Sequence, residues 1–180
     1  LSDERRFNQE KLIRLRFKPL KEFANQSELN LTRNNLNSST YSQRNFLIRQ
    51  VSFSSKIFYY PYNNVEASFK LEFGKAEDMF PLIPTILKIN SQEFSLIMMY
   101  SKQGKIVINL ERTEMIVNQN LNYIPFELTR GYFIGRNFIW RLTADYQFAN
   151  SIQTSLIYDG RMHGKSNPVH TATAEVRAYF

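Results

Sequence analysis

The sequence predicts an all-β chain, an antiparallel up-and-down meander of about nine strands, because apolar and polar residues alternate with period two along most of its length. Two further observations agree. Turn-forming clusters separate the alternating runs, and no continuous apolar run approaches the roughly 20 residues that a membrane helix needs. The mean hydropathy of −0.40 does not by itself argue against a membrane, since a barrel strand needs only about 9–11 residues with every second one apolar.

The strands follow in order. Lys11–Lys18 sets Ile13, Leu15 and Phe17 against Arg14, Arg16 and Lys18, and Gln26–Arg33 repeats the pattern more weakly. Leu47–Tyr59 gathers Val51, Phe53, Ile57 and Tyr59 on one face. Val65–Phe73 is cleaner, with Val65, Ala67, Phe69, Leu71 and Phe73 opposed to Glu66, Ser68, Lys70 and Glu72. Thr85–Tyr100 and Lys105–Met115 come next. Arg136–Phe148 is the clearest run: Phe138, Trp140, Leu142, Ala144, Tyr146 and Phe148 share one face, Asn137, Arg141, Thr143, Asp145 and Gln147 the other, and only Ile139 breaks the rule. Ile152–Tyr158 is short. The last segment opposes Ala172, Ala174, Val176, Ala178 and Phe180 to Thr171, Thr173, Glu175, Arg177 and Tyr179.

The connections near Pro19–Asn25, Pro61–Asn64, Lys102–Gly104 and Ala149–Ser151 are short, whereas those near Asn34–Arg44, Gly74–Pro84, Val117–Gly135 and Gly160–Pro168 are long. Strict alternation of short and long connections is the pattern of outer-membrane barrels, with short periplasmic turns and long external loops. Tyr59, Tyr60, Tyr62, Tyr100, Phe148, Tyr179 and Phe180 fall at one set of strand ends, and Phe73, Tyr132, Phe133, Phe138 and Tyr158 at or beyond the other, as the two aromatic girdles of such a barrel would. The meander is therefore expected to be part of a transmembrane β-barrel in the bacterial outer membrane. Side-chain parity assigns Glu66, Lys70, Glu72, Arg141, Asp145, Glu175 and Arg177 to the lumen, and Val65, Phe69, Leu71, Phe138, Trp140, Leu142 and Val176 to lipid. Single-chain bacterial barrels have even strand numbers, so nine strands imply at least one more upstream, and residues 1–180 are expected to be one barrel segment, the C-terminal part of a longer chain.

Little in the chain points to catalysis, and no enzyme, cofactor or metal is expected. There is no Cys, which removes disulfides and thiolate chemistry. The two histidines, His163 and His170, flank the last long connection near Asp159 and Ser166, without the spacing of a metal site or the Gly-x-Ser-x-Gly elbow of a hydrolase. The six glycines stand apart, so no loop is built to cradle phosphate. The net charge of +7 comes from scattered basic residues, not from a patch of the kind that would favour nucleic acid.

The ending Ala174-Glu175-Val176-Arg177-Ala178-Tyr179-Phe180 resembles the terminal strand of outer-membrane β-barrels, which the barrel-assembly machinery reads as a signal carried here by Tyr179 and Phe180. Arg16–Leu20, Ile124–Thr129, Gly135–Trp140 and Tyr158–Arg161 extend a broader likeness to the C-terminal region of large exported bacterial proteins. The resemblance implies a role as pore, transport or secretion channel, or membrane anchor. The implied partners are outer-membrane lipid, the assembly machinery, and the upstream part of the same protein or other envelope proteins. A soluble antiparallel barrel or sandwich binding a lipid or sugar is the alternative, and it would turn the same apolar stripe inward.

Overall fold

The computed structural model describes residues 4–41, 44–101, 103–118, 124–149 and 152–178. Among these residues, nine strands form one sheet in sequence order, each antiparallel to the next: β1 (Glu4–Phe17), β2 (Phe23–Ser38), β3 (Phe46–Tyr62), β4 (Val65–Asp78), β5 (Thr85–Tyr100), β6 (Gly104–Val117), β7 (Gly135–Ala149), β8 (Ile152–His163) and β9 (Val169–Ala178). One short helix, α1 (Phe126–Thr129), lies between β6 and β7. Among the described residues, bulges interrupt the register only near the short turns, between Tyr59 and Tyr62 and between Gln147 and Ala149. Among the described residues no helix is long and apolar enough to cross a membrane, which says nothing about crossing by strands.

Several strands extend beyond the runs that alternation marks. β2 continues to Ser38, β4 to Asp78 and β8 to His163, into stretches whose composition reads as loop. The reason is a reversal of polarity. Along β4 the face bearing Ser68, Lys70 and Glu72 goes on with Gly74 and Ala76, while the face bearing Phe69 and Phe73 goes on with Lys75 and Glu77. Along β5, Leu87 and Ile89 share a face with Ser91, Glu93 and Ser95, whereas Lys88 and Asn90 share one with Phe94 and Leu96. The pleat continues while the apolar residues change sides.

The only apolar core among the described residues sits at this end of the sheet, where the longer connections lie. It comprises Leu36, Phe46, Ile48, Ala76, Leu87, Ile89, Met115 and Leu128, with Val117, Ile124 and Tyr132 packed against it. Leu128 belongs to α1; the other buried members come from β2 to β6 and lie on one face. That face, against which residues 124–134 fold, is the inner face, and farther along it the buried residues are polar apart from Ala24: Gln50, Ser52, Ser54, Ser68, Ser95 and Thr113. The outer face is bare there, with Val51, Phe53, Ile57, Phe69, Phe73, Phe94, Leu110 and Val176 between 37% and 70% exposed. A soluble sheet would bury such a stripe, because burying each side chain contributes about 1.5–3 kcal/mol.

Candidate functional site

The register places Glu66, Lys70, Glu72, Arg141, Asp145, Glu175 and Arg177 on the inner face and Val65, Phe69, Leu71, Phe138, Trp140, Leu142 and Val176 on the outer one. The two sets do not mix, but neither converges on a point. Lys70 and Glu72 sit under residues 124–134, whereas Arg141 pairs with Asp159 at 2.5 Å, and Arg177 with Glu175 at 2.8 Å, farther round the sheet. Tyr179 and Phe180 lie outside the described residues.

The most constructed part of the inner face is the segment 124–134, which contributes no residue to the expected lumen set. Pro125 has φ −56° and precedes a single helical turn, and Arg130 ends that turn in the left-handed region at φ 53°, followed by Gly131 at φ 83°. A Cβ on Gly131 would lie 2.9 Å from the Phe126 ring, so glycine allows the chain to double back tightly at a backbone angle that other residues rarely adopt. Leu128, 0% exposed, is the apolar anchor.

Polar contacts then fasten the segment lower down. Arg130 donates to Glu72 at 2.7 Å and to the side-chain carbonyl of Gln50, and Glu72 also accepts from Lys70 at 3.0 Å. The Tyr132 hydroxyl donates to Glu111 at 2.6 Å, and Glu111 accepts from Thr113, whose hydroxyl lies 2.8 Å from that of Ser91. Burial and the Glu111 carboxylate raise the Tyr132 pKa, so the phenol keeps its proton and its donor role. Asn137, 1% exposed, holds the end of the segment by donating to the Phe133 carbonyl at 2.7 Å, while His163 meets Asn137 Oδ1 at 2.8 Å and packs against Phe133. Tyr132 and Phe133, expected in an aromatic girdle, are therefore both used to seat the segment. His163 and His170 occupy opposite faces of the sheet.

Beside this contact lies a polar cavity of about 270 Å³, lined by residues that include Glu28, Asn30, Ser52, Lys70, Glu72 and Arg130. Glu28 there accepts from Gln26 at 2.6 Å and from Arg14 at 2.5 Å. Toward the short turns, Lys56 and Arg16 approach the Phe58 ring and Lys18 the Tyr60 ring at 5.0–6.0 Å, which forms a cationic and aromatic collar. Acidic and basic groups thus alternate along the inner face with water-sized space between them.

A polar inner face, a bare apolar outer face and a consecutive antiparallel meander are features that outer-membrane β-barrels combine, and the fold of this chain is similar to solved structures of that kind. No protein-family model and no curated protein sequence matches the chain. By fold, it is similar to outer-membrane expressed OmpT of Vibrio cholerae, with a TM-score of 0.62 at 10% identity over 96% of this chain and 57% of that one. It is also similar to the loop L8 deletion mutant of that OmpT, with a TM-score of 0.64 at 10% identity over 95% of this chain and 54% of the other. The in-vitro folded form gives 0.61 at 10% identity, covering 95% and 56%. The likeness establishes the fold, a nine-stranded antiparallel meander of the outer-membrane barrel kind, and these neighbours are bacterial outer-membrane proteins. The chain spans a little over half the length of the barrels it matches.

Proposed function

We propose that the chain forms part of the wall of an outer-membrane pore for small polar solutes, narrowed from within by residues 124–134. In this reading Glu66, Lys70, Glu72, Arg141, Asp145, Glu175 and Arg177 line a wet lumen, and the stripe containing Phe69, Phe138, Trp140 and Leu142 touches lipid. β1 and β9 pair on one edge only and, eight antiparallel steps apart, run in the same direction. An odd number of further strands from the same protein would close the barrel and satisfy both free edges, as hydrocarbon requires.

The observation that carries the proposal is the seating of Leu128, Arg130 and Tyr132 on the inner face. A segment that leaves the wall, buries an apolar anchor and places a guanidinium over the carboxylate of Glu72 occupies the space that solute would cross. A barrel serving only as an anchor has no need of an oriented charge there.

The test uses the full-length protein reconstituted in planar bilayers. The wild type should conduct ions, and Arg130→Glu, which sets two carboxylates together in the narrowed region, should shift the reversal potential toward cation preference. A correctly inserted protein that carries no current, in wild type and variant alike, would leave anchoring as the role.

A further inference from the structure

On the outer face, immediately beyond the apolar stripe, two pairs of like charges stand directly opposite each other on neighbouring strands. Arg33 on β2 is the register partner of Arg49 on β3, and Lys75 on β4 is the partner of Lys88 on β5. Lys11 extends the row across β1 by pairing with Leu31. Like charges directly opposite on a sheet destabilise it; Arg49 also faces Glu77 on β4, but among the described residues Arg33, Arg49 and Lys88 form no ion pair. Glu77 reaches only Lys75, at 3.7 Å.

The lysine pair lines a groove of about 640 Å³, level with Val51 and Ile116 and one step beyond Phe53 and Phe73. Glu114, also in the groove, is already engaged by Arg136 at 3.0 Å and Arg112 at 3.9 Å. The cations therefore lie above Phe53 and Phe73, in the order in which an anionic lipid presents its headgroup and its chains.

We propose that this belt is a binding site for a membrane lipid with a phosphate-bearing headgroup: Lys75 and Lys88 clamp the phosphate, Arg33 and Arg49 hold a second one, and acyl chain lies against Phe53 and Phe73. The anion relieves the two like-charge pairs. Attraction to anionic headgroups accounts for a basic row at this level, and aliphatic stems of lysine lie along apolar surface while their ammonium groups reach the phosphates. The inference rests on the membrane reading above but not on the pore.

The experiment uses full-length protein folded into vesicles of phosphatidylcholine with and without phosphatidic acid, then extracted in mild detergent for native mass spectrometry. Phosphatidic acid should remain bound in preference to phosphatidylcholine, and Lys75→Glu with Lys88→Glu should reduce that retention by at least about tenfold. Lys105→Glu, on the inner face, should leave it unchanged. Folded, vesicle-inserted protein that shows no preference for phosphatidic acid would overturn the lipid site while leaving the membrane reading intact. Equal occupancy by inorganic phosphate alone would overturn the lipid as its source. Failure to insert into either vesicle would overturn the membrane reading and the site with it.

Discussion

Leu128→Ala should release the inner segment. The side chain is fully buried, and the substitution deletes three carbons from a site walled by Leu36, Phe46, Ile48, Ala76, Leu87, Ile89 and Met115. Lost transfer energy is about 2.4 kcal/mol at 0.8 kcal/mol per carbon, and an unfilled cavity raises the total to about 3–4 kcal/mol. At 1.4 kcal/mol per decade, the undocked population grows by a factor of roughly a hundred to several hundred. Removing the guanidinium should do less. Arg130 is 37% exposed in its side chain, and Glu72 keeps Lys70 when it leaves, so Arg130→Ala should cost about 1 kcal/mol or less. Limited proteolysis within residues 124–134 of the full-length protein in lipid, together with single-channel recording, reads both effects. Leu128→Ala should be cleaved far faster and show larger, noisier currents, with Arg130→Ala in between. If Leu128→Ala matches the wild type, or Arg130→Ala exceeds it, the apolar anchor does not hold the segment.

Ala144→Arg on the outer face should cost about 2–4 kcal/mol and impair insertion, whereas Thr143→Arg on the inner face should be tolerated; yield of folded protein in vesicles separates them. Trp140 lies across Gly160, so a Cβ there would fall 1.9 Å from the indole. Gly160→Ala should destabilise the wall by about 1–3 kcal/mol, and combining it with Trp140→Ala should recover much of that loss in denaturant titrations. For Tyr132, burial and the Glu111 carboxylate hold the phenol pKa above its ordinary value, so the protonated form is favoured when docked. Its stabilisation is complete below about pH 10 and is lost as pH rises through the docked value. Protease resistance of the segment should therefore fall only above that pH, and Tyr132→Phe should remove the dependence.

The strand order and the two faces were legible because parity is local: Val65–Phe73 and Arg136–Phe148 state it within a single run. The extensions are not, because the apolar residues change sides within a single strand. Gly74–Asp78 then looks like a turn, although Lys75 and Glu77 merely exchange roles with Ala76. The signal was present in β5, where Leu87 and Ile89 hold the opposite parity to Phe94, Leu96 and Met98. Arg130 and Glu72 are 58 residues apart, and nothing in either neighbourhood announces the other. Gly160 likewise gains its meaning only when the register sets it opposite Trp140. Short-range pattern specifies which side a residue takes, while the segment that covers that side is chosen by long-range packing.

The reversal of polarity also explains why the anchor sits where it does. Within the apolar stripe the inner face carries serines, threonines and paired charges, which water solvates well and which give Leu128 nothing to displace. On the proposed membrane reading the outer face beyond the stripe meets headgroups and water, so basic residues appear there while the apolar residues move inside. Only there can five strands supply a pocket for one leucine. The cluster that holds Leu128 draws on β2 through β6, so its burial depends on the pairing of strands far from residues 124–134 in sequence. A variant that weakens β2 pairing, such as Leu36→Asp in the pocket wall, should accordingly loosen the distant segment without altering the fold of β7 to β9, a difference that site-resolved hydrogen exchange would resolve.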